Sequence, residues 1–222
     1  MTTALPALSL LETRVLGVLV EKQHTVADTY PLTLNALIAG CNQKTSRDPV
    51  LSATDAEVQS TVDRLKTLSL IVESSGGRVM RYAHNVERVL GLPSQAVALL
   101  ATLMLRGPQT LGELRINSDR LHRFADISAV DAFLHELAAR PSGALVAELP
   151  RSPGSRENRW MHLLSGAQPP EIVPADGSAT FAGDVVTLTE IAALKANVHR
   201  LEEELEALKR AVANLRSELG SP

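Results

Sequence analysis

The strongest pattern of apolar positions lies near the end of the chain and has the spacing of a heptad repeat. Aliphatic residues alternate at steps of three and four, with Leu at every d position. The nine positions are Ile191, Leu194, Val198, Leu201, Leu205, Leu208, Val212, Leu215 and Leu219. Thr187 and Glu190 fit a capping box at the start of this helix. The pattern predicts a coiled-coil helix over 187–220 that forms a parallel homodimer.

Two features qualify this interpretation. A stripe of this width also fits a single helix that folds back on its own chain, and this alternative remains open. Before the helix, the run from Gln168 to Gly183 contains three prolines and two glycines. Such a composition is typical of a linker, so residues 168–186 are predicted to be flexible.

Residues 1–90 show three amphipathic helices followed by a β-hairpin. The helix starts carry capping signals: Ser9 with Glu12 for the first, Pro31 for the second, and Thr54 with Glu57 for the third. The second helix is expected to end near Gly40. Apolar stretches at 70–72 and 79–82 flank a Ser-Ser-Gly-Gly turn, which predicts the hairpin.

Residues 91–167 repeat this order. A helix from Ser94 to Leu105 is stopped by a Gly-Pro pair, Thr110 with Glu113 starts a second, and Ser128 with Asp131 starts a third. Strands are predicted at 144–149 and 159–164. Three helices followed by a hairpin are the order of a winged-helix domain, and two successive copies strengthen the assignment.

The predicted fold is therefore mainly α with small β-hairpins. It comprises two tandem winged-helix domains, 1–90 and 91–167, followed by the linker 168–186 and the coiled-coil helix 187–220. Each winged-helix unit is small and would bury a modest core by itself, so we expect the two units to contact each other.

Composition narrows the function classes. The chain has 22 basic and 25 acidic side chains and a net charge of −3, which excludes a polybasic nucleic-acid coater. Residues 1–90 are neutral, 91–168 carry +1 and 169–222 carry −4, so the deficit lies in the predicted coil. The chain shows neither a run of 18 apolar residues nor a basic leader. We expect a soluble cytoplasmic protein without a membrane partner.

Catalytic and metal-site patterns are not found in the sequence. The six histidines lack the short spacing of a metal site, and Cys41 has no second cysteine beside it. Phosphate-binding loops and nucleophile elbows are absent from the sequence. We therefore predict a non-enzymatic protein without a cofactor or metal, in which Cys41 is a small buried hydrophobe.

Several local runs resemble the YceH family of bacterial proteins. The most specific is Asn42 to Val50, which reads NQKTSRDPV, and a second is Leu149 to Gly154 with Trp160. The resemblance covers about Leu8 to Gly166. It implies a tandem winged-helix fold in a bacterial cytoplasmic protein, and it supplies no activity because the family is of unknown function.

A winged-helix fold suggests double-stranded DNA as a partner, because its third helix enters the major groove and its hairpin touches phosphates. The candidate contacts are Lys44 and Arg47 before the third helix, Gln59, Arg64 and Lys66 on it, Arg78 and Arg81 on the first hairpin, and Arg151 and Arg156 on the second. Three further arginines, Arg115, Arg120 and Arg123, mark the segment after the second predicted helix of residues 91–167. Asp55, Glu57 and Asp63 on the third helix would oppose phosphates.

Two functions remain open from the sequence. The first is a dimeric DNA-binding regulator, in which pairing through the coil would double the phosphate contacts. The alternative is a protein-interaction scaffold that uses winged-helix surfaces, as in accessory subunits of chromosome-organising complexes. Near-neutral domains and acidic residues on the third helix favour the alternative, and the basic hairpins favour DNA. Hairpin arginines would also keep a strand edge solvated without any partner.

Overall fold

The structure is a computed structural model that describes residues 5–75, 79–151 and 157–166. All of these lie in Met1–Glu171, the first of two units into which the chain divides. The predicted linker 168–186, the coiled-coil helix 187–220 with its nine seam positions, and the candidate contacts Arg78 and Arg156 lie outside the described residues.

The described residues form a mixed α/β structure with seven α-helices and two small antiparallel sheets. The elements in chain order are α1 (Leu10–Thr25), a 3-10 turn (Ala27–Thr29), β1 (Leu32–Thr33), α2 (Leu34–Cys41), α3 (Asp55–Thr67), β2 (Ile71–Ser75), β3 (Met80–His84), α4 (Val86–Leu90), α5 (Ser94–Arg106), α6 (Leu111–Asn117), α7 (Ile127–Ala138), β4 (Val146–Leu149) and β5 (Arg159–His162). Within the described ranges, none of the helices is both long and apolar enough to cross a bilayer.

Three helices begin at the capping boxes that the sequence predicts. In α1, α3 and α6, the Ser or Thr hydroxyl accepts a hydrogen bond from the backbone N–H three residues later, and a Glu carboxylate accepts one from the cap's own N–H. These pairs satisfy backbone donors that the helix itself leaves unpaired. The pairs are Ser9 with Glu12, Thr54 with Glu57, and Thr110 with Glu113.

Two predicted helix starts are wrong, and one helix was not predicted. The second helix begins at Leu34 rather than at Pro31, because the two residues before it form β1 and Thr33 caps the helix. The seventh begins at Ile127, because the carboxylate of Asp126 accepts from the N–H of Ala129, and the predicted Ser-Asp box is not used. The short helix α4 carries too few apolar residues to show a period.

Each half has a hairpin after its third helix. The residues just before its second helix pair with the second strand of that hairpin and so extend the sheet. In the first sheet the order is β1-β3-β2, and Leu32 pairs with Tyr82 of β3. In the second half, Gln109 precedes α6 and pairs with Trp160 of β5 through backbone N···O distances of 3.0 and 2.7 Å. The two halves therefore repeat the same plan in both order and pairing.

Both halves share one hydrophobic core, with α1 and α5 packed directly against each other at its centre. α5 is buried at every position from Ala96 to Leu105, as a helix surrounded by other elements must be. A Cβ built on Gly17 of α1 would lie 2.9 Å from Cγ of Leu105, so glycine lets the two helices approach closely. The expected contact between residues 1–90 and 91–167 is thus present.

Candidate functional site

The third helix, α3, carries basic side chains whose charges are compensated within the protein. The ammonium group of Lys66 contacts the carboxylate of Glu73 on β2 and lies 3.8 Å from Oδ1 of Asp63. Gln59 donates from Nε2 to the same Asp63 oxygen at 3.2 Å. Two of the three predicted contacts on this helix are therefore tied to one acidic side chain.

Arg64, the remaining basic residue of α3, reaches back to the start of α1. Its Nε lies 3.2 Å from Oε1 of Glu12, and its Nη1 donates to Oε2 at 3.3 Å. Glu12 is only 2% exposed, and its carboxylate also accepts from the backbone N–H of Ser9. Arg64 itself remains half exposed, so it can still meet a ligand, but in competition with a buried carboxylate.

Arg47, predicted as a phosphate contact, lies in the interior instead. Its Nη2 and Nη1 donate to the two carboxylate oxygens of Glu21 at 2.6 and 3.1 Å, and its Nε donates to the carbonyl of Gly40 at 3.1 Å. Burial alone would raise the pKa of Glu21, but the hydrogen bonds and charge of Arg47, with Lys22, hold that pKa below its ordinary value. The guanidinium is not accessible to DNA in this arrangement.

A second buried arginine holds the loop between α2 and α3. Arg14 of α1 is fully buried and donates to the carbonyls of Cys41 at 3.2 Å and Pro49 at 2.6 Å. Asn42 closes the loop by exchanging two hydrogen bonds of 2.8 Å with the backbone of Ala53. This loop contains the run on which the family resemblance rests, and its specific residues serve to anchor its backbone.

The same loop contacts the second half of the molecule. Arg106, at the end of α5, donates from Nη2 to Oγ of Ser46 at 2.7 Å, and the N–H of Asp48 donates to the carbonyl of Leu105 at 2.8 Å. Ser46 has a φ of +59°, in the left-handed region that non-glycine residues rarely adopt. Polar clefts of about 160 and 290 Å³ flank this junction.

Other cations have no carboxylate partner within the described part of the chain. Lys44 in the α2–α3 loop and Arg151 after β4 are exposed and unpaired there. Arg81 on β3 donates from Nη1 to the carbonyls of Pro31 at 2.8 Å and Thr29 at 3.1 Å, which leaves its charge uncompensated. Two further exposed residues join them: Arg115 in the last turn of α6 and Arg120 in the turn after it. Arg123 is paired with Asp119 at 3.2 Å.

The remaining titratable groups among the described residues show no reactive arrangement. Cys41 is fully buried, as predicted, and burial raises the pKa of its thiol to about 12. Burial also lowers the pKa of His84 to about 4, with a smaller effect from His24, and that of His162 to about 4. Among the described residues, no group of three or more His, Cys, Asp or Glu is placed to hold a metal ion.

Sequence reasoning missed the polar contacts that organise this region, which come from the buried Arg14 and from the partly buried Glu21 and Arg106. Periodicity identifies apolar faces, and it cannot separate a buried arginine from an exposed one. The position of Arg14 in the sequence could have indicated its burial, because it lies between Thr13 and Val15 in the buried stretch of α1. A charged residue inside such a stretch is buried only with hydrogen-bond partners, here two loop carbonyls.

Comparison with known proteins gives consistent matches over most of the chain. A family model described as "Protein of unknown function, DUF480" matches residues 8–155. A UPF0502 protein of Methylibium petroleiphilum is 61% identical over 202 residues, covering 91% of this chain and 85% of that protein. A UPF0502 protein of Dechloromonas aromatica is 59% identical over 209 residues, covering 94% and 96%. One from Burkholderia orbicola is 58% identical over 220 residues, covering 98% and 91%.

Proposed function

The chain belongs to the DUF480 family of proteins of unknown function, and we propose that it is a non-enzymatic, double-stranded-DNA-binding protein of the winged-helix class. Membership of an uncharacterised bacterial family confirms the resemblance on which the sequence analysis relied. The matched names assign no activity. The proposal therefore depends on the fold and on the distribution of charge.

The observation that carries the proposal is the repeated plan of the two halves. In each, three helices are followed by a hairpin, and a short segment before the second helix pairs with the last strand, at Leu32–Tyr82 and at Gln109–Trp160. This order and pairing resemble those of winged-helix domains, which present the third helix and the hairpin to DNA, and the resemblance supports the proposal. An analogy of fold supports this function without assigning a binding sequence.

Charge supports contact with phosphates more than with base edges. Lys44, Arg81 and Arg151 keep uncompensated charges within the described residues, beside the third helix or on the hairpins. By contrast, the side chains of α3 that could read bases are held by Asp63, Glu73 and Glu12. Binding by phosphate contact is weak for each domain and falls steeply with salt. Dimerisation through 187–220 would offset the weakness by doubling the contacts.

The test measures DNA binding by the full chain as a function of salt. Fluorescence anisotropy with genomic duplex fragments would compare the wild type with a Lys44→Glu, Arg151→Glu variant and with Arg88→Glu as control, since Arg88 is also exposed and unpaired among the described residues but lies on α4. We expect binding at low salt, and a decrease of about one in the salt slope for each phosphate contact removed. Absence of binding by micromolar wild-type protein at low salt would refute the proposal.

A second candidate function is a protein-interaction scaffold, and one observation favours it. The cations of α3 are paired with carboxylates, while the first hairpin exposes apolar side chains: Val72 is 51%, Val79 55% and Met80 40% exposed. Exposed apolar side chains near a helix with more acidic than basic residues suit a protein partner better than a phosphate backbone. A nuclease-treated pull-down that recovers a stoichiometric partner with the wild type, and loses it with Val72→Asp, would support this function in place of DNA binding.

A further inference from the structure

A cavity of about 270 Å³ lies away from the proposed DNA contacts, where the end of α4, the α7–β4 connection and the residues after β5 meet. Aliphatic side chains form part of its walls, among them Val89, Leu90, Leu145 and Leu163. Leu5, near the start of the described chain, closes part of it. The cavity is therefore lined by residues of both halves of the molecule and has both aliphatic and polar surface.

One charged side chain borders this cavity. Arg140 donates from Nη2 to the carbonyl of Leu90 at 2.7 Å and to Oγ of Ser142 at 3.0 Å. Its Nε is buried without a hydrogen-bond partner. Its Nη1 makes no hydrogen bond within the residues that the structure describes, and the side chain forms no ion pair there. The guanidinium thus keeps both its charge and part of its donor capacity.

The acidic side chain of Glu136 does not neutralise this arginine. Glu136 borders a smaller cavity, of about 30 Å³, that also touches Arg140, but the two side chains form no ion pair among the described residues. A partly buried cation beside aliphatic walls is costly unless an anion compensates it. A ligand carboxylate would do so, because guanidinium–carboxylate bonds are charge-assisted and accommodate two oxygens in parallel.

We propose that this cavity is a binding site for a small amphipathic carboxylate. The carboxylate accepts from Arg140, and an aliphatic body fills the space between Leu90, Leu145 and Leu163. The volume equals that of roughly nine molecules of liquid water, which suits a short-chain acid. The site is separate from the candidate DNA contacts, so it stands or falls independently of the proposed function.

Isothermal titration calorimetry of the full chain with straight-chain acids from butanoate to octanoate tests the site. Affinity should rise by about fourfold for each methylene that becomes buried, until the cavity is full. Hexanamide, which matches hexanoate in shape without its charge, should bind at least about tenfold more weakly because it lacks the ion pair. Binding of hexanamide equal to that of hexanoate would overturn the proposal, and so would an absence of saturable binding for the whole series.

Two variants locate the site. Arg140→Gln should weaken hexanoate binding by at least about tenfold, while Arg151→Gln, which removes an exposed arginine outside the cavity, should leave it unchanged. Ala144→Phe fills the cavity from its exposed rim without altering Arg140, and it should abolish binding even if the Arg140 variant is too unstable to measure. Hexanoate binding that survives Ala144→Phe would place the ligand elsewhere and refute the assignment.

Discussion

Arg47 lies inside the first half of the molecule with its guanidinium held by both carboxylate oxygens of Glu21, at 2.6 and 3.1 Å. The Arg47 side chain is fully buried, while that of Glu21 is 15% exposed. This pair joins the α2–α3 loop to the end of α1. It also explains why a basic residue in a polar loop is unavailable to a nucleic acid.

Removal of the Glu21 charge should strongly destabilise the protein. Glu21→Gln leaves the Arg47 guanidinium buried without an anion, which should lower the free energy of unfolding by about 3 kcal/mol. Lys22→Gln is the matched control, because Lys22 contacts the same carboxylate from the solvent side at 3.3 Å and should cost less than about 1 kcal/mol. Urea denaturation followed by circular dichroism measures both. A loss for Glu21→Gln no larger than the control's would contradict the buried pairing.

Stability should fall as the pH drops below the ordinary pKa of histidine. His84 and His162 have folded-state pKa values of about 4, so both are neutral in the fold when an unfolded chain, with a histidine pKa near 6.5, has begun to bind protons. Their stabilisation is complete above about pH 6.5 and is lost as the pH falls toward 4. When the pH falls from about 8 to 5, each of these two histidines should lower the free energy of unfolding by roughly 2 kcal/mol.

The same denaturation experiment at the two pH values checks this expectation. His162→Phe should lose its own share of the pH dependence, whereas Arg88→Gln should retain the wild-type difference because arginine does not titrate in this range. If His162→Phe showed the full wild-type difference, the burial effect assigned to His162 would be wrong.

Release of Lys66 from its carboxylate partner should strengthen DNA binding if α3 faces DNA. Glu73→Gln frees the ammonium group for a phosphate, so the slope of log K against log salt should steepen by about one. Glu87→Gln makes the same change of net charge on α4 and should leave the slope unaltered. Anisotropy titrations at several salt concentrations provide the measurement. Equal slopes for the two variants would exclude α3 from the DNA contact.

Loss of the α3 cap should cost measurable stability. Thr54→Ala removes the hydroxyl that accepts from the N–H of Glu57, and we expect a loss of about 1 kcal/mol. Ser60→Ala, an exposed substitution in the middle of the same helix, should be neutral or slightly stabilising because alanine has the higher helix propensity. The urea midpoint should therefore fall for Thr54→Ala and stay unchanged or rise slightly for Ser60→Ala, and equal shifts would count against the capping role.

Close packing of α2 on α1 requires glycine at position 40. A Cβ there would lie 2.6 Å from Cγ1 of Val18, so Gly40→Ala should lower the free energy of unfolding by about 2 kcal/mol. Val18→Ala should recover part of this loss in the double variant, because it removes the clashing methyl group. Gly112→Ala in α6, where no atom lies within 4 Å, should instead stabilise the protein by about 0.5 kcal/mol. Additive effects of Gly40→Ala and Val18→Ala would contradict the contact.

Local signals predict much of this fold and little of the candidate site. The capping boxes at Ser9, Thr54 and Thr110 mark helix starts correctly because their hydrogen bonds depend only on residues three positions apart. The two-residue strand β1 escapes such analysis, since its partner Tyr82 is about fifty positions away. Pairings across the sequence are set by tertiary packing, which periodicity does not encode.

The same reason explains the candidate contacts. Arg47, Arg64 and Lys66 all read as basic side chains in polar surroundings, yet each has a carboxylate partner contributed by a different element. Lys44 has none among the described residues, although its local sequence is no different in character. Whether a cation is available to a ligand therefore depends on long-range neighbours, which only the three-dimensional arrangement reveals.

The close packing of Gly17 against Leu105 joins the two similar halves into one structural unit. Because α5 is buried from Ala96 to Leu105, separating the halves would expose an apolar helix and would not yield two independent domains. The two hairpins are consequently attached to one shared core, which sets the distance between them. Any long partner that engages both must match that preset separation or bend to it.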